Sequence, residues 1–216
     1  MMEEFSTGIA FIFEGDTEKE FYMVLLEHLC CKHCAKMERI QISSGTEVAY
    51  RLTTEDNSNF FIKMNLVNTI TQIPRAGQWF STQCAEKYKS LDWHVFLCYD
   101  QDSYKEDISK FYEGDWVELR RYLKKAKSVN DIAAAADIED IMLQDITHIC
   151  QYLNCSVPAS LKGRKGKVKM KNLFRENGMV YHEGKRARPV IEALDMEFLL
   201  NESIAPLGSI ESLIFK

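Results

Sequence analysis

The chain has 216 residues, a net charge of -5, 46% hydrophobic residues and 27% charged residues. That length holds one domain with a substantial core, and that composition excludes disordered, fibrous and collagen-like chains. No apolar run approaches the ~20 residues that cross a bilayer, and the opening Met-Met-Glu-Glu-Phe is acidic where a secretory leader would be basic, so a cytoplasmic protein away from the membrane is expected.

The seven cysteines are an odd number, scattered through segments that read as helix or strand, and do not form the pattern of a disulfide framework. Cys31-x-x-Cys34 lacks the second Cys/His pair of a zinc site, and core thiols are expected. Charge is distributed unevenly. From Lys162 to Arg188 ten Lys/Arg stand against Glu176 and Glu183, so this stretch carries +8 and the remainder -13. Such a chain can hold a cation in its acidic part and a polyanion in its basic part.

In chain order, Gly8-Ile-Ala-Phe-Ile-Phe13 is short, continuously apolar and β-leaning, the pattern of a strand buried on both faces of a parallel sheet. It stops at Glu14-Gly15, after which Asp16 or Thr17 can cap a helix carrying Phe21, Leu25, His28 and Leu29 on one face. Residues 38–42 and 60–67 read as strands, with the polar stretch Thr53 to Asn59 as a turn between them. Pro74 precedes a helix running through Trp79, Phe80, Cys84 and Tyr88, and Trp93 to Tyr99 forms a second buried strand ending at Asp100-Gln-Asp102. Helices are predicted from Asp115 to about Lys127 and from about Ile138 to Leu153, with Ile132 to Ala136 either a short strand or part of the later helix. The run 162–171 has too many like charges and glycines to pack and reads as a solvated loop, before helical stretches near 184–200 and 209–215.

This alternation predicts an α/β fold, a mostly parallel central sheet with helices on both faces, in one domain spanning 1–216. Residues 1–153 would form the sheet core, and 154–216 the basic loop and closing helices. Ligands in such sheets bind beyond the C-terminal strand ends. Both strongest strands end there in acid, Glu14 after the first and Asp100 with Asp102 after the later one. Two carboxylates one residue apart suit a hard divalent cation, and Glu18, in the first turn of the helix, can join them. Tyr104, Phe111, Tyr112 and Trp116 follow the acidic loop and suit base stacking or packing against the sheet equally well.

The string Phe11-Ile-Phe-Glu14-Gly15-Asp16-Thr17-Glu18 resembles the Glu-Gly-x-Thr-Glu opening of topoisomerase-primase (TOPRIM) domains in the overcoming-lysogenization-defect (OLD) nuclease group and its small stand-alone relatives. Phe96-Leu-Cys-Tyr-Asp100-Gln-Asp102 is similar to their Asp-x-Asp strand, Asp137-Ile-Glu139-Asp140 to a third acidic element, and Gly184-Lys185-Arg-Ala187 to a late lysine that assists the reaction. The resemblance implies a TOPRIM fold and two-metal cleavage of nucleic-acid phosphodiester bonds, DNA or RNA, in defence against phage or mobile elements. It implies Mg²⁺ or Mn²⁺ held by Glu14, Glu18, Asp100, Asp102 and Glu139, with Asp137 as the alternative to Glu139. Glu14, Asp100, Asp102 and Lys185 would be the catalytic residues, Lys162 replacing Lys185 if the correspondence shifts.

Lys162, Arg164, Lys165, Lys167, Lys169 and Lys171 would contact phosphates and govern affinity. The larger relatives carry an ATPase on the same chain; here no Gly-x-x-x-x-Gly-Lys-Ser/Thr loop occurs, so a separately encoded ATPase is the expected source of any nucleotide control. Two other readings stay open: an RNA-processing or tRNA-cleaving enzyme of the same fold, and a non-catalytic nucleic-acid-binding or sensor subunit.

Overall fold

The apolar opening run becomes β1 (Thr7–Phe13), the strand around which the rest is arranged, and it leads into α1 (Asp16–Lys32). A computed structural model describes residues 4–41, 48–68, 73–100, 119–134 and 137–215. Next come β2 (Lys36–Gln41), β3 (Val48–Thr53), β4 (Asn59–Leu66) and α2 (Ile73–Trp79), which continues as a π-helical turn, Phe80–Glu86. After β5 (Asp92–Asp100) come a helical turn at 119–122 and β6 (Ser128–Ala134), and then α3 (Ile138–Met142) and α4 (Ile146–Tyr152). The chain then forms α5 (Gly166–Glu176), α6 (Arg188–Glu192), α7 (Met196–Glu202) and α8 (Gly208–Ile214).

The six strands make one sheet in the order β2-β3-β4-β1-β5-β6. β1 is parallel to β4 and β5, and β5 to β6; β2 and β3 form an antiparallel margin. This is the expected α/β architecture, a mostly parallel sheet with helices packed on both faces. Side chains alternate across β1: Ile9, Phe11 and Phe13 enter one core with α1 and the C-terminal helices, while Ala10 and Ile12 enter the other with Phe80, Trp93 and Leu119. Phe11 stacks on Phe96 at 5.1 Å and Phe13 on Tyr22 at 5.5 Å, clamping β1, β5 and α1 together. Residues 170–214 join the first core through Met170, Phe174, Ile191, Leu207 and Ile210, so the C-terminal third packs on the same sheet as α1. Among the described residues no helix is long and apolar enough to cross a membrane.

Four details differ from the sequence reading. β3 was not foreseen, because Val-Ala-Tyr-Arg-Leu-Thr alternates weakly; the polar turn lies between β3 and β4. The residue capping α1 is Gly15, which has no side chain to make a capping bond, and the Thr17 hydroxyl accepts the Gly184 N–H. The helix expected over 138–153 breaks at Asp145, whose buried carboxylate accepts N–H groups from His148 (3.4 Å) and Asp195 (2.7 Å) and restarts the helix as α4. Most consequentially, α5 begins at Gly166, inside the run expected to be a loop. Met170, Leu173 and Phe174 give it a buried face, and its lysines find carboxylates outside the helix.

A buried lysine also escaped the sequence reading. Lys63 is 1% exposed, donates to the Gln83 carbonyl at 2.6 Å and lies 5.4 Å from the Tyr88 ring and 5.7 Å from that of Trp79. Burial lowers its ammonium to about 8.

Gly166 is the tightest joint between α5 and the segment after β6. A Cβ there would strike the Asp140 N–H, the Asp137 carboxylate and, at 2.8 Å, the Glu139 carbonyl carbon. Backbone atoms cannot swing aside, so Gly166→Ala should cost about 1–3 kcal/mol despite alanine's better helix propensity. A urea midpoint equal to or above that of the wild type would contradict this packing.

Candidate active site

β1, β4, β5 and β6 run in one direction, so their C-terminal ends share one edge of the sheet. Glu14 follows β1, Asn68 lies just past β4, Asp100 closes β5, and Asp137 and Glu139 follow β6. A cavity of about 340 Å³ opens at this edge, with Glu14, Glu18, Asp100, Glu139, Lys167 and Glu183 in its lining.

Glu14 is positioned by both neighbouring strands. Its N–H donates to the Cys98 carbonyl at 3.1 Å and its carbonyl accepts the Asn68 N–H at 2.8 Å. Its side-chain Oε2 accepts the Asp100 N–H at 3.1 Å, so the two acidic strand ends are joined directly. Glu18 reaches the cavity by folding back over the turn, which a glycine at position 15 permits: a Cβ there would lie 2.6 Å from Glu18 Oε2. Thr17 Oγ1 accepts the Gly184 N–H at 2.9 Å and ties the C-terminal third to this turn. Glu139, 1% exposed, accepts a hydrogen bond from the Tyr181 hydroxyl at 2.9 Å.

Mutual repulsion and desolvation shape the electrostatics. Asp100 is half-buried, but its Oδ1 is shut off from water and accepts no hydrogen bond among the described residues. Burial, then the charges of Glu18 and Glu14, push its carboxyl up to about 10. Burial and the Asp137 charge push Glu139 up to about 7, against the pull of the Tyr181 hydroxyl. Burial raises Asp137 as well, opposed by the Lys167 N–H. Burial would lower the Lys167 ammonium, but Glu183, Glu139 and Glu18 outweigh it and the net direction is up.

The structure thus brings Glu14, Glu18, Asp100 and Glu139 to one cavity. Asp137 is directed otherwise: both its oxygens accept the Lys167 N–H, at 3.1 and 3.0 Å, and it secures the start of α5. Asp102 lies outside the described residues, as do Tyr104, Phe111, Tyr112 and Trp116. Lys185 is exposed on the 3₁₀ turn Gly184–Ala187 and is not in the cavity lining; the lysine that lines it is Lys167, expected from sequence only as a phosphate contact. The other basic residues are spread along the surface. Lys162 pairs with Glu176 at 2.7 Å, Lys167 and Lys171 both reach Glu183 at 3.0 and 2.6 Å, and Lys169 lies 3.6 Å from Asp140. Arg164 is exposed and Lys165 half-buried.

Tyr181, Glu183, Thr17 and Asn68 were not anticipated, since each acts through tertiary contacts that no local spacing announces. Away from this edge, Cys30 is buried while Cys31 and Cys34 are exposed, and burial pushes the Cys30 thiol up to about 11. His148 is bonded to Asp145 at 2.8 Å.

As a donor set, the cavity suits a hard divalent cation: its acids are oxygen ligands, they outnumber the nearby ammonium, and one holds a buried oxygen with no hydrogen-bond donor. Glu14, Glu18, Asp100 and Glu139 are the described residues that would hold it. Among the described residues no three acids, histidines or cysteines already stand at ligating distance of a common point.

The raised Asp100 carboxyl makes a stability prediction. The unfolded group titrates near ~4, so its contribution is fully present below that pH and lost as pH rises towards about 10. In EDTA, wild-type melting temperature should fall between mildly acidic and alkaline pH. Asp100→Asn should flatten this slope and melt higher at alkaline pH, by about 2–4 °C for each kcal/mol of repulsion relieved. An Asn variant less stable than wild type at every pH would overturn it.

No family model matches the chain, and no curated protein matches it either. Among solved structures, it is similar to the crystal structure of the "putative cell surface hydrolase from Lactobacillus plantarum WCFS1", with 12% identity and a TM-score of 0.32, over 78% of this chain and 97% of that one. That likeness is too slight to say anything of this chain's fold or activity.

Proposed function

We propose that the chain is a divalent-metal-dependent nuclease that hydrolyses nucleic-acid phosphodiester bonds, with Glu14, Glu18, Asp100 and Glu139 as its carboxylate set and defence against phage or mobile elements as its setting. The observation that carries this reading is the direct junction of Glu14 and Asp100 at the mouth of a cavity lined by further acids. Four acids gathered this closely lower stability, a cost that a structural role leaves unexplained and cation binding offsets. The resemblance of the Glu14-Gly15-Asp16-Thr17-Glu18 and Asp100-Gln-Asp102 strings to OLD-type TOPRIM nucleases points the same way.

Bound divalent cations supply charge neutralisation at the phosphoryl oxygens and make water a better nucleophile at neutral pH. The chain's own residues do the positioning. Glu14 and Asp100 are held by strand backbone, Glu139 is oriented by Tyr181, and Lys167 is the lysine that lines the cavity among the described residues. In this reading Lys167 takes the role that the sequence assigned to Lys185, contacting the phosphate whose charge grows during cleavage.

A second reading, a nucleic-acid-binding subunit without turnover, is favoured by one observation: the exposed Arg164, Lys185 and Arg186 stand outside the lining of the acid cavity, where they can hold phosphates without taking part in chemistry. The two separate in one experiment. Wild type with Mg²⁺ or Mn²⁺ should degrade or nick plasmid, single-stranded DNA or total tRNA. Asp100→Ala and Glu14→Ala should each reduce the rate by about 10²-fold or more while remaining folded by circular dichroism. Undiminished cleavage in both variants would remove the nuclease assignment; salt-sensitive binding with no turnover in wild type would establish the second reading.

Tyr181→Phe keeps the ring and removes only the donor to Glu139. It should reduce turnover by about 10- to 100-fold, as expected for a group that orients a ligand, and shift the divalent-ion dependence to higher concentration. Unchanged metal dependence would deny Tyr181 this role.

A further inference from the structure

A second cavity, of about 280 Å³, lies on the other side of the segment that closes the acid cavity. Its lining includes Tyr152 at the end of α4, Phe174 on α5, Met179, Tyr181, His182 and Arg186. The two cavities share one wall. Tyr181 lines the aromatic cavity while its hydroxyl is bonded to Glu139 of the acid cavity, and Glu183 and Gly184, the next residues but one and two, line the acid cavity. Tyr181 therefore links an aromatic recess to the proposed site of chemistry.

We propose that this aromatic cavity is a nucleobase subsite, so that the nucleic acid engaged at the acid cavity is bound with a neighbouring base unstacked from its own strand. The inference rests on the nuclease reading and specifies its substrate as single-stranded or locally opened.

Three observations support it. The cavity presents aromatic rings and a thioether, which suit the π-face of any base without selecting sequence. Tyr152 is 38% exposed, Met179 39% and Val180 70%, so the mouth of the cavity is apolar surface facing water, the kind of patch that marks a binding site. Charge fits as well. Lys162, Lys167 and Lys171 are occupied by Glu176 and Glu183, whereas the exposed Lys185 and Arg186 make no ion pair among the described residues, and Arg186 lines the aromatic cavity, where its guanidinium can meet a phosphate or stack on a base. A base within a duplex has both faces covered by its neighbours and cannot enter a lateral recess, which gives the preference for opened strands.

The test uses the full chain in EDTA with a fluorescent short single-stranded oligonucleotide, the same strand with abasic positions, and the corresponding duplex. The base-bearing single strand should bind tightest, and Tyr152→Ala and Arg186→Ala should each weaken it, the former by about 5- to 150-fold, the loss of one stacked base. A 2-aminopurine in the strand should lose fluorescence on binding to wild type and recover it in Tyr152→Ala. Equal affinity for base-bearing and abasic strands, or variants that bind as wild type does, would overturn the subsite. So would a base-independent change in self-association on substituting Tyr152, which would make the patch a protein contact. If wild type still cleaves with Mn²⁺ in that case, only the subsite falls; if it neither binds nor cleaves any nucleic acid, the nuclease reading falls with it.

Discussion

The structure depends on the parallel pairing of β1 with β5, which ends both strands at the same edge and delivers Glu14 and Asp100 to one place. Nothing about the two carboxylates favours their meeting; they repel, and desolvation makes the repulsion worse. The force that brings them together is elsewhere, in Phe11 stacked on Phe96 and Phe13 on Tyr22, fully or almost fully buried beneath the acids. Each such ring contributes about 1.5–3 kcal/mol on burial. A few of them can hold a charge cluster that would disperse if its own interactions decided the matter. The apolar strands are thus the means by which an electrostatically unfavourable arrangement persists.

How legible this was from the sequence follows from the range of the interactions involved. Continuous apolar runs ending in acid, such as Gly8 to Glu14 and Trp93 to Asp100, mark buried strands and the acids at their ends without reference to the rest of the chain. Glu18 was also readable, because a tight turn with glycine at 15 brings the residue four positions after Glu14 back over the strand end. By contrast, α5 looked like a loop because its neutralising partners, Asp140 and Glu183, come from other segments. The same reason concealed Tyr181 beneath Glu139 and the place of Lys167 in the cavity lining, whereas Lys185 rested on the likeness of its local string alone. Lys63 is the extreme case: an ordinary-looking residue in an alternating strand, buried against two rings and a carbonyl contributed by the stretch 79–88.

The C-terminal third has a part beyond surface charge. Its helices share a core with α1, its Gly184 N–H is bonded to Thr17, and its Tyr181 and Lys167 enter the acid cavity or bond to its lining. Asp137 completes the arrangement from the sheet side, its two oxygens sharing the Lys167 amide in the first turn of α5, where Gly166 allows close approach. Position of the lysine and position of the acids are therefore set by one packed unit, and a shift of α5 would move both together.

This coupling bears on the division of labour among the basic residues. Lysines already paired with Glu176 or Glu183 must give up a partner before they meet a phosphate, so their net contribution to affinity is reduced by what they lose. Lys167 is an exception in kind, because its pairing with Glu183 keeps the ammonium charged and fixed at the cavity. If the cavity is the site of cleavage that we propose, a fixed charge there is worth more than a mobile one, since no reorganisation is required when charge develops. The +8 stretch thus divides into one lysine built into the cavity wall and outer groups on the surface, the exposed Arg164, Lys185 and Arg186 among them.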